Sequence, residues 1–438
     1  MANVVIIGSG GREHALGWSI AQDQDVEQVL YAKGNPGTNA EKKSYNLTAP
    51  STPFDGTNPD NFQRLIDYVK DCSIDMVVVG PEQPLVDGLV DQFQEAGLGD
   101  RIFGPTAAGA LIESDKFESY RVMRKLGIPQ ARSMRCFNPE TARSEIEKMV
   151  TSQGIVLKAR GLTGGKGVYV CDNAQEAFSA LNELVKRYGP EVAVAERLFG
   201  QEFSVFALCD GQQALPIKMS VQDHKRLSDG DEGPNTGGMG AYCPALIADS
   251  DMVQHVTDKM MTPVVKELGY KGFLYAACIM TKEGPKILEY NCRFGDPEAQ
   301  PAVMMLKDGL YQPMRYALEG RLDEIEMEFN PGAAVCVVMA SDGYPESYQK
   351  GFRIGGLEEA AQDPNVKIFH AGTGFDSDKN IVTSGGRVLG VTARGKDVRG
   401  AQSIAYRTAS TIQRETSKLN DGKMIFHYRV DIADKGVD

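Results

Sequence analysis

The first hundred residues alternate between short apolar runs and stretches with helical periodicity. The apolar runs, which predict β-strands, are residues 2–7, 26–32, 76–79 and 102–103. The helical stretches between them are residues 14–22, 61–71 and 85–96. Strands that alternate with helices form a parallel sheet with helices on both of its faces. The sequence therefore predicts an α/β fold that begins with a parallel-sheet domain at residues 1–105.

After this domain the pattern changes twice. Residues 106–330 combine a helical stretch at 107–126, mixed strands and helices, and a glycine-rich loop within a compact part at about 125–195. Residues 331–438 combine short strands with a helix at 398–413, which predicts a small α+β domain. We therefore expect three domains.

Composition excludes several classes of protein. The net charge of −12 over 438 residues argues against a nucleic-acid partner, which requires a basic surface. The chain has no apolar run near 18 residues, and it begins with a strand and a glycine turn, so we expect neither a membrane span nor a signal peptide. Its eight cysteines are scattered without a C-x-x-C pair, which favours reduced thiols and a cytoplasmic location.

A carboxylate and an amide stand two residues apart at the end of an apolar strand. Glu289 and Asn291 follow Ile287 and Leu288, and residues two apart in a strand point to the same face. Their oxygens suit a Mg²⁺ ion that also holds substrate phosphates. Arg293, expected on the same face, can grip a carboxylate or a phosphate with two hydrogen bonds. The alternative interpretation is an edge strand with a solvated polar end.

The turn Gly8-Ser9-Gly10-Gly11 joins the first strand to the first helix, where free N–H groups favour an anion. A dinucleotide fold requires an acid about 20 residues later, but Lys33 stands near that place. This argues against NAD, FAD and a dehydrogenase, and for a phosphate-bearing small molecule. Pro81 and Glu82 follow another strand at the same sheet edge. A turn that only packs the helix on the sheet is the alternative.

The glycine-rich loop 161–167 follows Lys158, which ends the apolar strand 155–157, and contains a second lysine, Lys166. Such a loop can fold over a triphosphate and exclude water. It is not a Walker A loop, because Gly167 replaces the Ser or Thr that would bind the metal. A hairpin turn with an exposed lysine is the alternative.

Two further segments carry polar groups. The strand 192–195 leads to Glu196, where backbone groups at 196–198 can pair with an adenine edge and Glu202 can accept ribose hydroxyls. Residues 223–226 (Asp-His-Lys-Arg) lie in a stretch at 220–244 that we expect to be one polar loop, either functional or a solvated charge run.

In this order, the motifs resemble those of the phosphoribosylamine–glycine ligases (glycinamide ribonucleotide synthetases) of the ATP-grasp superfamily. The resemblance covers essentially the whole chain and includes VVIIGSGGREHA near residue 4, QDHKR at 222–226, GPNTGGMGAY at 233–242 and NCRFGDPE at 291–298. It implies that ATP, glycine and 5-phosphoribosylamine give glycinamide ribonucleotide, ADP and phosphate through a glycyl phosphate, the second step of de novo purine synthesis.

The resemblance also implies a role for individual residues. ATP would contact Lys116, Lys158, Gly164, Gly165, Lys166, Gly167, Glu196, Leu198 and Glu202. The other substrates would contact Gly10, Gly11, Arg12, Pro81, Glu82, Lys225, Arg226, Arg293 and Asp296. The catalytic residues would be Arg293, Asp223 and Lys158, and Glu289 and Asn291 would hold Mg²⁺ or Mn²⁺.

The implied architecture has a biotin-carboxylase-like first domain, an ATP-grasp domain whose lid lies at about 125–195, and a C-terminal α+β domain. The implied partners are small molecules only, with the chain a monomer or weak homodimer. The chain departs from the family pattern at Arg160, where an Asp is usual, at Thr163 and Gly164 in place of two Ala, and at Tyr120 in place of a Lys. The alternatives are another ATP-grasp carboxylate–amine ligase of nucleotide synthesis and a nucleotide-binding sensor without turnover.

Overall fold

The first sheet is parallel throughout, in the order β3-β2-β1-β4-β5. The structure is a computed structural model that describes residues 1–47 and 55–437. The strands of this first sheet are β1 (Ala2–Gly8), β2 (Val26–Lys33), β3 (Ser44–Asn46), β4 (Met76–Val79) and β5 (Ile102–Phe103). The helices of this region are α1 (Gly11–Ile20), α2 (Pro36–Ala40), α3 (Phe62–Asp71), α4 (Glu82–Val86), α5 (Leu89–Glu95) and α6 (Ala107–Ser114). The predicted parallel α/β arrangement is confirmed.

Strand β1 is apolar along its length because both of its faces are covered. Val5 and Ile7 belong to one buried cluster, whereas Val4 and Ile6 belong to another on the opposite face. This division is what helices on both faces of a parallel sheet produce. The carboxyl ends of β1 and β4 therefore lie at the same edge of the sheet. The glycine turn follows β1 at this edge, and Pro81 follows β4.

Two predicted helices are each divided into two. The stretch 85–96 consists of α4 and α5 because Gly88 between them has φ +83°, which a helix cannot continue through. The stretch 107–126 consists of α6 and α7 (Lys116–Lys125), because Asp115 leaves the helical conformation. Its side chain accepts hydrogen bonds from the N–H groups of Phe117 (2.9 Å) and Glu118 (3.3 Å) and so caps α7.

Two antiparallel four-stranded sheets follow. The elements of the first are β6 (Ser133–Cys136), α8 (Pro139–Met149), β7 (Ile155–Ala159), β8 (Val168–Cys171), α9 (Ala174–Tyr188) and β9 (Val192–Glu196), with strand order β6-β9-β7-β8. The strands of the second are β10 (Gln201–Asp210), β11 (Ala214–Pro216), β16 (Lys271–Thr281) and β17 (Gly284–Asn291), in the order β11-β10-β16-β17. The helices of residues 250–319 are α10 (Ser250–Val256), a π-helical turn (Thr257–Met261), α11 (Thr262–Leu268), α12 (Ala299–Met304) and α13 (Tyr311–Glu319). The glycine-rich loop joins the antiparallel strands β7 and β8, so it is the loop of a hairpin.

The prediction of one long loop at 220–244 is wrong. The segment contains β12 (Gln222–Asp223), β13 (Arg226–Ser228), β14 (Glu232–Asn235) and β15 (Gly240–Cys243). Strands β13 and β14 form a two-stranded ribbon, and β15 is fully buried. The strands are too short, and too close to glycines, for their pattern to be recognised in the sequence.

The last sheet has six strands in the order β12-β15-β18-β22-β19, with β23 beside β18. Its remaining strands are β18 (Ala333–Ser341), β19 (Val366–His370), β22 (Arg387–Gly395) and β23 (Phe426–His427), and β20 (Thr373–Phe375) pairs with β21 (Ile381–Thr383). The helices are α14 (Leu357–Ala360) and α15 (Val398–Leu419), which is longer than predicted. Because β15 pairs with β18, this sheet includes chain from both sides of residue 330. Within residues 1–47 and 55–437, every helix is too short or too polar to cross a bilayer.

Candidate active site

Strand β17 presents Glu289 and Asn291 on one face. They lie opposite Ala277 and Tyr275 of β16, two register positions apart. A bulge precedes them, because the pairing passes from Ile287 to Glu289 and leaves Leu288 as an extra residue. The carbonyl of Leu288 accepts a hydrogen bond from Lys158 Nζ at 3.0 Å. The bulge at Leu288 therefore connects the segment that carries Glu289 and Asn291 to Lys158, near the end of β7.

Positive charges surround Glu289. Burial raises the pKa of this carboxyl, but the charges of Lys158, Lys116 and Lys225 outweigh burial and hold the pKa below its usual value. The pKa of Lys158 is raised, because its interactions with Tyr120 and Glu289 outweigh the lowering effect of burial. Glu289 is therefore an ionised carboxylate inside a cationic cluster, which is a setting for a polyanionic ligand.

The donor set fits a hard divalent cation. Across the part of the chain that the structure describes, no hydrogen bond or ion pair occupies the Glu289 carboxylate or the Asn291 amide. Their oxygens are thus available for coordination. The described residues contain no group of three or more His, Cys, Asp or Glu side chains with metal-site geometry. A cation held here would therefore take its other ligands from substrate oxygens and water.

Arg293 lies beyond the end of β17, so strand alternation does not position it. Instead its Nη2 lies 3.1 Å from Glu113 Oε1 and its Nε lies 3.6 Å from Glu82 Oε2. Glu113 Oε2 also accepts the N–H of Cys292 at 2.7 Å. Burial raises the pKa of Glu113 in spite of the arginine, whereas the charges of Arg293 and Arg12 overcome burial and lower the pKa of Glu82. Sequence reasoning missed Glu113, although an acid on the otherwise apolar helix α6 was an available signal.

The glycine turn of the first sheet carries a carboxylate from its own helix. Glu13 accepts hydrogen bonds from the N–H of Gly10 and from Arg12 Nε, both at 2.6 Å. The helix N-terminus therefore already has an anionic partner. A Cβ on Gly10 would lie 2.7 Å from Glu13 Oε2, so a larger residue there would displace this carboxylate. A Cβ on Gly11 would lie 3.6 Å from a carboxylate oxygen of Asp296, so the two predicted substrate regions meet.

The C-terminal sheet contributes Arg387 to this region, which sequence reasoning also missed. Its Nη2 lies 2.9 Å from Asp296 Oδ2, and its Nη1 donates to the Asp296 carbonyl at 2.6 Å and to the carbonyl of Gly237. An arginine at the start of a strand more than 90 residues away gives no local signal of this contact. Arg226, by contrast, is exposed and donates to the Gly233 carbonyl at 2.6 Å within the β13–β14 ribbon.

Asp223 and Lys225 differ in their surroundings. Burial and the nearby Glu298 raise the pKa of Asp223 well above its usual range. Its Oδ1 is buried and has no hydrogen-bond partner among the described residues. Lys225 Nζ lies 2.6 Å from Glu202 Oε2, and the lysine lowers the pKa of that carboxyl. Glu202, the predicted ribose acceptor, and Lys225, a predicted substrate contact, therefore form an ion pair with each other.

The glycine loop lies against the turn before β15. Gly164 and Gly165 have φ values of +57° and +78°, and a Cβ on Gly165 would lie 3.6 Å from the carbonyl of Thr236. Thr163 Oγ1 accepts the N–H of Gly167 at 3.0 Å, which shapes the loop from within. Lys166 is exposed at the tip.

At the end of the β6-β9-β7-β8 sheet that lies away from the glycine loop, Glu196 is hydrogen-bonded to Arg132. The Glu196 side chain accepts the Arg132 N–H at 2.8 Å, and the Glu196 N–H donates to the Arg132 carbonyl at 3.0 Å. Leu198 lies in the irregular stretch between β9 and β10. The backbone N–H of Glu196 is thus already used within the protein.

Comparison with known proteins identifies the family. Family models described as phosphoribosylglycinamide synthetase match residues 2–113 (N domain), 114–299 (ATP-grasp domain) and 334–435 (C domain). Phosphoribosylamine–glycine ligase of Rhodopirellula baltica is 43% identical over 427 residues, which are 94% of each chain. The ligase of Synechocystis sp. is 41% identical, covering 99% of this chain and all of its own.

Solved structures agree with this assignment. The crystal structure of phosphoribosylamine–glycine ligase from Thermotoga maritima has a TM-score of 0.80 and 32% identity, covering 99% of this chain and 100% of its own. The biotin carboxylase domain of 2-oxoglutarate carboxylase from Hydrogenobacter thermophilus shares the fold, with a TM-score of 0.69 at 15% identity and coverage of 99% and 97%. The expected biotin-carboxylase-like ATP-grasp architecture is therefore confirmed. The chain belongs to the phosphoribosylamine–glycine ligase family.

Proposed function

We propose that the residues around Glu289 form the site at which this chain joins glycine to 5-phosphoribosylamine with the hydrolysis of ATP. The chain is a ligase that forms a carbon–nitrogen bond in purine biosynthesis, since relatives more than 40% identical to it over nearly its whole length carry that name. The observation that supports this site most is that Glu289 and Asn291 lie on one face of β17 beside Lys158, whose Nζ donates to the Leu288 carbonyl at 3.0 Å. The products are glycinamide ribonucleotide, ADP and phosphate.

Glu289 and Asn291 would hold the divalent cation, Mg²⁺ or Mn²⁺, that the fold family uses with ATP. When bound, the cation supplies positive charge that neutralises the phosphate oxygens. Lys158 and Lys116 add positive charge from two other elements, the end of β7 and the start of α7. Phosphoryl transfer depends mainly on positioning and charge neutralisation, so no side-chain nucleophile is required.

Glycine attacks first in the proposed sequence. Its carboxylate oxygen attacks the γ-phosphorus of ATP, ADP leaves, and glycyl phosphate forms. The amine of 5-phosphoribosylamine then attacks the glycyl carbonyl carbon, the C–N bond forms, and phosphate leaves with loss of a proton from nitrogen. Arg293, which Glu113 and Glu82 hold, would bind the developing acyl phosphate, and Asp223 would orient glycine.

The remaining predicted contacts divide between the nucleotide and the amine. Loop residues Gly164 to Gly167 would cover the phosphates, Glu196 and Leu198 would flank the adenine, and Glu202 would bind the ribose. Phosphoribosylamine would lie along Gly10, Gly11, Arg12, Pro81 and Glu82, with Asp296, Lys225 and Arg226 completing the substrate contacts. The domain division at 105 and 330, the lid at about 125–195, a cytoplasmic location and a monomer or weak homodimer are parts of the same proposal.

The test is phosphate release from ATP with Mg²⁺ and 5-phosphoribosylamine, with glycine compared against alanine, aspartate and bicarbonate. We expect release with glycine only, and a product with the mass of glycinamide ribonucleotide. Turnover with a different carboxylate would favour another ATP-grasp ligase of nucleotide synthesis. ATP binding without turnover on any carboxylate would favour the sensor interpretation and contradict the proposal.

A further inference from the structure

Arg160 lies at the base of the glycine loop, and its side chain contacts three residues in two other parts of the chain. Its guanidinium donates to both carboxylate oxygens of Asp115, with Nε at 3.0 Å from each and Nη2 at 2.6 Å from Oδ2. Its Nη1 lies 2.9 Å from Glu191 Oε1, just before β9. The guanidinium carbon also lies 5.2 Å from the ring centroid of Phe117. One side chain therefore connects the loop base to the start of α7 and the start of β9.

The backbone makes the same connection. The N–H of Lys116 donates to the carbonyl of Arg160 at 2.9 Å, and the N–H of Arg160 donates to the carbonyl of Glu191 at 3.3 Å. Lys116 Nζ in turn donates to the carbonyl of Gly161 at 3.0 Å. Residues 115–116 and 160–161 thus hold each other through both main chain and side chains. Lys116, proposed above for the ATP phosphates, lies inside this junction.

The arrangement of these contacts around the guanidinium determines how strongly they orient the base of the loop. A single exposed ion pair contributes little, and the Arg160 side chain is 39% exposed. Here, however, one guanidinium makes a forked bond to one carboxylate, a bond to a second, and a contact with an aromatic face. Such fixed, multidentate arrangements are the ones that retain an orienting effect. Asp115 is also fixed independently, because it caps α7.

We propose that Arg160 is a positioning residue that fixes the base of the glycine loop to the N-terminus of α7, so that Lys116 and loop 161–167 meet the ATP phosphates as one unit. Arg160 itself contacts no reacting atom. The inference rests on the proposed function, since it assumes that ATP binds beneath the loop. Without the Arg160 side chain, only the main-chain hydrogen bonds and the Lys116 Nζ contact with Gly161 would hold the loop base to α7, so more of the ordering would fall to ATP binding. This lowers the affinity for ATP but leaves the glycine site intact.

The test compares variants by calorimetry with Mg·ATP and by steady-state kinetics. For R160A we expect the Kd and KM for ATP to rise about 5- to 10-fold, with the KM for glycine within about 2-fold of wild type. R160K should restore part of the affinity, because lysine can form one ion pair but not the fork. D115N keeps the helix cap and removes the charge, so it should resemble R160A, and the double variant should be little worse than either.

R121A is the matched control. Arg121 lies on α7, and among the described residues its side-chain hydrogen bonds and ion pair all involve Glu118, so its loss should leave ATP affinity unchanged. Thermal melting checks folding, and trypsin cleavage after the exposed Lys166 should become faster in R160A without ATP. Wild-type affinity in R160A, or additive losses in the double variant, would overturn the inference alone. A wild-type protein that binds no ATP would overturn the proposed site as well.

Discussion

At the scale of single residues, Glu289 shows how charge is arranged for a polyphosphate. A buried carboxyl normally becomes neutral, but here lysines from α7, β7 and the chain after β12 keep it ionised. Lys225 already pairs with Glu202, so Lys158 and Lys116 are the lysines whose positive charge ATP and a divalent cation together would meet. The Glu289 side chain is thus the point at which metal and nucleotide are expected to meet.

Replacing Glu289 with Ala or Gln should reduce turnover about 100-fold or more, because an anchor for the cation is lost where charge must be neutralised. The fold should persist, since the carboxylate supports no hydrogen bond to another described residue. The measurement is glycine-dependent phosphate release during a Mg²⁺ titration, with thermal melting as a folding check. The matched control is E283Q, on the exposed turn before the same strand, which should behave as wild type. Normal turnover in E289A would show that the metal assignment is wrong.

At the scale of elements, the β7–β8 hairpin carries a loop whose shape depends on glycine. Gly164 and Gly165 adopt left-handed φ values that other residues reach only at a cost. The loop is also held from inside by Thr163 and from outside by Lys116. A short segment can therefore cover a ligand without a packed core of its own.

Gly165→Ala should weaken ATP binding about 5- to 30-fold, because a left-handed alanine costs about 1–2 kcal/mol in the loop conformation described here. The substitution meets no steric obstacle, since the nearest atom to the new Cβ would be 3.6 Å away. Calorimetry with Mg·ATP is the measurement. Gly161→Ala is the control, because its Cβ would meet no atom within 4 Å and its φ is not left-handed, so affinity should change little. Equal effects of the two substitutions would argue against a role for the loop conformation.

At the scale of the whole molecule, buried polar side chains join the first sheet region to the C-terminal one. The N–H of His370 donates to His14 Nδ1 at 2.9 Å, which places the proton of His14 on Nε2, 3.0 Å from Glu41 Oε1. Lys367 also pairs with Glu41. Burial, together with the charge of Lys367, lowers the pKa of His370 to about 3. For Glu41, the hydrogen bond with His14 and the charge and hydrogen bond of Lys367 overcome burial and lower the pKa to about 2.

These shifts predict that stability falls on acidification. Below pH 6.5 the unfolded chain protonates at His370 before the folded chain does, so the free energy of unfolding decreases as the pH falls towards 3. At pH 5 the loss from this residue is about 2 kcal/mol, from 1.5 pKa units at about 1.36 kcal/mol each. Glu41 acts in the same direction, because its low folded pKa gives stability that is present above 4.5 and is lost between 4.5 and 2.

The measurement is urea unfolding at pH 7 and pH 5 for wild type, H370Q and H255Q. H370Q should lose less stability than wild type between the two pH values, because a glutamine cannot take up the proton. His255 is exposed, so H255Q should keep the wild-type dependence. An H370Q variant with an unchanged pH dependence would contradict the explanation.

Features that depend on neighbours along the chain can be predicted from the amino-acid order alone. The strand–glycine–helix alternation gave the parallel sheet, and the two-residue spacing placed Glu289 and Asn291 on one face, because both depend on local backbone periodicity. The same spacing did not place Arg293, since the strand ends at Asn291 and the arginine is held by Glu113 and Glu82 from the first sheet region.

Which distant charges meet depends on how the whole chain folds. The tertiary structure brought Arg387 onto Asp296, joined Glu202 to Lys225, and placed β15 beside β18, where the sequence indicated a loop. It also brought Arg160 to its partners Asp115 and Glu191. The sequence had shown only that Arg160 reverses the charge that is usual at this position in the family. Such contacts form only when segments far apart in the sequence pack together. The energy of a charge, in turn, depends on its burial and on partners that no local sequence pattern encodes.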